Sequence, residues 1–116
     1  MNAIISKFIL TTGALATLVA VLPLAASAGE VHNRVERQQG RINRGVRSGQ
    51  LTQGEYARDE NRLRHINGQR IHDLRQNGGY LTGGERAHLN RELNRNSETI
   101  YFTKHNRARQ PGAPLR

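Results

Sequence analysis

Apolar residues return along this chain at helical intervals. Val31, Val35, Ile42 and Val46 follow one another at steps of four, seven and four residues, a single stripe on a helix expected from about Val31 to Arg47. Tyr56, Leu63, Ile66, Ile71 and Leu74 fall within an arc of about 140° at about 100° per residue, which predicts a second helix from about Gln53 to Gln76. Leu89, Leu93 and Ile100 share one face of a third, from about Gly83 into the Arg107 region. Three narrow apolar faces predict an all-α fold, either a small three-helix bundle or an open helical hairpin.

The polar punctuation repeats. Gly49-Gln50-Leu51-Thr52-Gln53-Gly54-Glu55-Tyr56-Ala57 recurs thirty residues later as Gly79-Tyr80-Leu81-Thr82-Gly83-Gly84-Glu85-Arg86-Ala87, and Leu63 recurs as Leu93, so seven positions are identical. Arg41-Ile42 and Arg70-Ile71 extend the correspondence upstream, giving two tandem helix-turn-helix units around residues 41–63 and 70–93 that share the middle helix. The repeated G-x-L-T-x-x-E has a direct physical reading as a helix start. A Thr at the N-cap accepts from the N3 backbone N–H while the N3 Glu reaches back to the N-cap N–H, so Thr52 with Glu55 and Thr82 with Glu85 are expected to be structural capping boxes. Leu51 before the cap and Tyr56 after it add a hydrophobic staple in the first copy, where the second has Arg86. Gly49 and Gly79 are expected to end the preceding helices in the left-handed conformation. Gly68 interrupts the second helix and marks a candidate bend. The segment 107–116, with Pro111, Gly112 and Pro114, reads as a disordered tail.

Ahead of the repeats lies a different kind of segment. Lys7, an apolar run from Phe8 to Leu22, the breaker Pro23 and then Ala26-Ser27-Ala28 have the order of a secretory leader, so residues 1–28 are expected to be a signal peptide cleaved after Ala28. Left uncleaved, Phe8 to Ala28 is just long enough to cross a bilayer of about 30 Å at about 1.5 Å per residue, but Pro23 and the small-residue site favour processing and hence no stable membrane anchor. The expected location is exported, periplasmic or secreted. With no Cys in the chain, neither lipid attachment at a cysteine nor a disulfide framework is available.

Removal of residues 1–28 leaves 88 of 116, one helical domain over 29–106 and the tail. That part has 17 Lys and Arg against 9 Asp and Glu, a formal +8, and only fifteen strong aliphatics and Phe, so its core is thin. Lys104 is its only Lys. Arginine favours bidentate contact with phosphate and carboxylate, which points to an anionic partner. Arg34, Arg37, Arg41, Arg44 and Arg47 recur at three- or four-residue steps along the first helix and are the candidate residues for it, as a basic flank beside the apolar stripe. Export and scattered aromatics argue against nucleic acid, leaving anionic envelope components or unfolded polypeptide as expected partners. A solvated face without a partner and a homodimer through the first helix are the alternatives.

Other chemistries find little support. In an EF-hand register Gly49, Leu51 and Glu55 match the loop exit, yet the acidic entry positions are Arg44, Val46 and Ser48, so calcium lacks its oxygen ligands. His65 and His72 stand about 10 Å apart along their helix, and His88 with Glu92 makes half a site, which leaves metal handling through His and Glu as an alternative reading. No catalytic residue or cofactor is expected, and the protein reads as non-enzymatic. Glu55 with Arg58, Asp59 with Arg62, Glu60 with Arg64 and Glu92 with Arg95 read as exposed ion pairs.

Leu51-Thr52-Gln53-Gly54-Glu55 and Leu81-Thr82-Gly83-Gly84-Glu85 resemble the motif of the periplasmic LTxxQ-motif (Spy-like) family with Glu in place of Gln. That resemblance implies a small exported helical protein acting as an ATP-independent chaperone or stress sensor. The repeats, with an ending like Ile100-Tyr101-Phe102-Thr103-Lys104-His105-Asn106, also resemble small exported bacterial proteins of unassigned function, which implies no activity.

Overall fold

The computed structural model describes residues 22–112, with side chains from Ala28 onward, so most of the expected leader lies outside the described residues. Three helices, α1 (Leu22–Arg47), α2 (Gln53–Gln76) and α3 (Gly83–His105), pack pairwise into a three-helix bundle. No described helix is long and apolar enough to cross a membrane. α2 spans the expected residues, and α3 ends at His105. α1 differs at its start, running back to Leu22 and through the expected cleavage point between Ala28 and Gly29. Pro23 falls in the first turn, where its missing N–H has no helical partner to lose, and the Ala-rich stretch after it has high helix propensity.

Both capping boxes form. Glu55 N–H donates to Thr52 Oγ1 at 3.3 Å while Thr52 N–H donates to Glu55 Oε2 at 2.9 Å. Thr82 and Glu85 repeat this at 3.2 and 2.8 Å. An asparagine then joins each box to a helix end: Asn77, the C-cap of α2, donates to Glu85, and Asn106, the C-cap of α3, donates to Glu55. Gly49 and Gly79 have φ of 71° and 101°, and Gly78 adds a third left-handed position at 68°. Gly79 N–H reaches Leu74 O at 2.7 Å, the long bond of a Schellman stop. Thr52→Ala or Thr82→Ala should each cost about 1 kcal/mol, read as a lower midpoint in urea unfolding. Midpoints unchanged in both variants would remove the boxes as a source of stability.

The core is a single cluster of Val31, Val35, Ile42, Leu51, Leu63, Ile66, Leu81, Leu89, Leu93 and Ile100, with Val46, Tyr56 and Leu74 half-buried against it. Leu51 and Leu81, the leucines of the two repeats, are fully buried and roof the bundle at its two turns. On α2 the inward stripe differs from the expected one: Glu55, Asp59 and Asp73 are buried with Leu63 and Ile66, while Ile71 is only half-buried.

A polar seam completes the packing. α1 and α3 run parallel and are joined in register: Arg34 donates to Asn90 and Asn94, Gln38 donates to Leu93 O at 2.7 Å and accepts from Asn96 at 2.8 Å, and Arg41 donates to Ser97 Oγ at 2.6 Å. These bonds satisfy all but one of the seam's buried side-chain groups, Asn96 Oδ1 being left without a partner. After Arg107, where no ordered contact is expected, Gln110 anchors the chain on the α1–α2 turn through Val46 O, Leu51 O and Gly49 O at 3.1, 2.8 and 3.0 Å.

Candidate anion-binding site

Because α1 and α3 are parallel, their C-terminal ends share one end of the bundle. The last turn of α1 carries Arg44 and Arg47, and that of α3 carries Lys104 and His105. Cations at these positions complement the helix dipoles, which is one reason the sequence places them there. They line a cleft of about 670 Å³ with Ser48 and Gln50, and among the described residues none of its lining is a carboxylate. Two helix C-termini contribute about −0.5 charge each, so Arg44 and Arg47 alone outweigh them and leave the cleft net positive. Gly45 lies behind the cleft, against the stem of one of its lining residues: a Cβ there would lie 3.3 Å from Lys104 Cγ and 2.7 Å from Leu51 Cγ. Its absence lets the aliphatic stem of Lys104 pack down beside Leu51. His105 Nδ1 lies 2.7 Å from Tyr101 O, a carbonyl that can only accept, so Nδ1 carries the proton in the neutral ring.

The five arginines expected to form one flank divide into two sets. Arg34 and Arg41 are half-buried in the seam with α3, where they hold the bundle together. Arg37, Arg44 and Arg47 are exposed, and of these Arg44 and Arg47 enter the cleft. Lys104 and His105 are partners that the spacing along α1 does not show. Their signal is the basic last turn of the third helix, which becomes informative only once α1 and α3 are known to be parallel.

Of the four expected ion pairs only Glu92–Arg95 closes, at 3.0 Å. Glu55 is held by Thr52 and Asn106, and Asp59 accepts from the Thr103 hydroxyl at 2.9 Å. Burial acts to raise the Glu55 carboxyl, but the Thr52 N–H, the Asn106 amide and the Thr52 hydroxyl outweigh it and hold the group below the usual carboxylate range. Glu85 is lowered by the Thr82 N–H and the Asn77 amide. Asp59 is different. Fully buried, with Oδ1 lacking a hydrogen-bond partner, it is raised by burial against the opposing pull of Thr103 and Arg62.

These shifts predict opposite pH slopes. Between its unfolded value near 3.8 and its higher folded value, Asp59 binds more protons folded than unfolded, so its contribution to stability falls as pH rises through that window. Glu55 and Glu85 contribute stability that is present above the unfolded value of 4.5 and lost as pH falls through their lower folded values. Thermal melts of the parent and Asp59→Asn across acid pH check this. The parent should gain stability on mild acidification before losing it, and the variant should show only the loss.

No three His, Asp or Glu side chains converge to hold a metal ion among the described residues. No family model matches the chain, and no curated protein or solved structure matches it either.

Proposed function

We propose that the protein is an exported, non-enzymatic binder of anionic polymers or surfaces of the cell envelope, with the cleft between the ends of α1 and α3 as its contact site. The observation that carries this reading is the convergence of Arg44, Arg47, Lys104 and His105 on one cleft with no carboxylate among the described residues that line it. The arginine side chains there would meet phosphate or carboxylate oxygens through charge-assisted hydrogen bonds. Attraction would reach about 8 Å at physiological salt and shrink as salt is added.

Binding to polyphosphate at low and high salt tests it. Joint replacement of Arg44 and Arg47 by Gln should weaken binding about tenfold at low salt, the equivalent of about 1.4 kcal/mol. Removing the same charge away from the cleft, through Arg75→Gln and Arg91→Gln, should have a much smaller effect. Equal losses from both pairs would mean that net charge alone attracts the polymer, and an absence of salt-sensitive binding would remove the proposal.

A further inference from the structure

Large apolar side chains are exposed at three described positions, and two of them adjoin the cleft. Tyr101 is 53% exposed and Phe102 68% exposed. Their rings meet edge to face at 5.9 Å, and Tyr101 also stacks on His105 at 4.2 Å. His105 lines the cleft, so the aromatic patch and the basic cleft form one continuous surface. At about 100° per residue, Lys104, Tyr101, His105 and Phe102 follow one another round about 160° of α3.

A water-exposed Phe gains nothing from solvation, and a soluble polymer would answer the cleft's charge but offer no apolar phase for the ring. An anionic bilayer offers both, because its phosphates lie directly above the boundary where aromatic rings partition. A second copy of the chain fits less well, since a two-fold pairing of this end would set Arg44, Arg47 and Lys104 against their own counterparts. We infer that this end of the bundle docks on an anionic membrane surface, with Phe102 and Tyr101 entering the interface while the cleft's cations contact lipid phosphate. The inference rests on the anion-binding reading of the cleft and names its partner.

Co-sedimentation with phosphatidylglycerol-containing vesicles, minus the binding to phosphatidylcholine vesicles, isolates the anionic component from any contribution of an N-terminal leader. Phe102→Ala should lower that component about tenfold, with Tyr101→Ala acting in the same direction. Phe102→Ala should leave polyphosphate affinity unchanged. Tyr80→Ala removes the third exposed ring, in the α2–α3 turn and thus at the far end of the bundle, and should leave vesicle binding intact. Arg44→Gln with Arg47→Gln should weaken both vesicle and polyphosphate binding. Circular dichroism melts establish that each variant is folded, as the exposure of these side chains leads one to expect.

Polyphosphate binding that survives together with vesicle binding indifferent to Phe102 would overturn the membrane inference alone. Loss of both ligands in the parent would overturn the anion-binding reading beneath it. A Phe102→Ala variant whose mass in solution drops from dimer to monomer would assign the patch to a second copy and would likewise overturn the inference.

Discussion

Leu51→Ala and Leu81→Ala are each expected to destabilise the bundle by about 2–5 kcal/mol, enough to leave a large fraction of either variant unfolded at physiological temperature. Both leucines are completely buried. Each lies just outside a helix, immediately before the N-cap, and fills the space above the last core layer at its turn. The surrounding cluster has ten buried apolar residues and the chain has no cysteine, so little else can compensate for a cavity. Turn backbone is fixed as well as side chains: Leu51 N–H donates to Gly45 O at 3.0 Å, and its carbonyl accepts from Gln110 at 2.8 Å. Urea unfolding monitored by circular dichroism measures the loss. A change below about 1 kcal/mol in either variant would show that the turn leucines act only as local staples and not as core.

Glycine-to-alanine changes at two helical positions should move stability in opposite directions. At Gly68, nothing lies within 4 Å of the new Cβ, so Ala should add about 1 kcal/mol of helix propensity. At Gly45 the Cβ would fall 2.7 and 2.8 Å from Leu51 Cγ and Cδ1, against a side chain with no free space to move into. Overpacking of this kind costs about 1–3 kcal/mol and outweighs the propensity gain. Gly45→Ala should therefore lower the melting temperature, and by displacing the Lys104 stem it should also weaken polyphosphate binding. Gly68→Ala should raise the melting temperature and leave binding alone. A gain at both positions would mean that the α1–α2 turn yields easily.

What the sequence expresses locally proved readable from it. Capping boxes, left-handed glycines and the limits of α2 depend on residues a few positions apart, and the structure has all of them. What depends on which helix faces which was not readable. Arg34, Gln38 and Arg41 have the composition of a solvated face, and only their apposition to Asn90, Asn94, Asn96 and Ser97 of a parallel helix makes them an interface. The same apposition brings Lys104 and His105 to Arg44 and Arg47. On α2, Glu55, Asp59 and Asp73 occupy inward positions that an apolar-periodicity argument assigns to hydrophobic side chains. Asn106 and Thr103, 51 and 44 residues away in sequence, supply the hydrogen bonds that make two of them tolerable there.

The polar seam also makes the pairing of α1 with α3 specific. Both turns are short, residues 48–52 and 77–82, and all three helices feed one core, so apolar contact alone would tolerate α1 sliding along α3. Gln38 and Asn96 are both buried, and a slip of one turn would leave their amides dry and unpaired. The seam thus holds the bundle to one alignment out of several that its valines and leucines would accept.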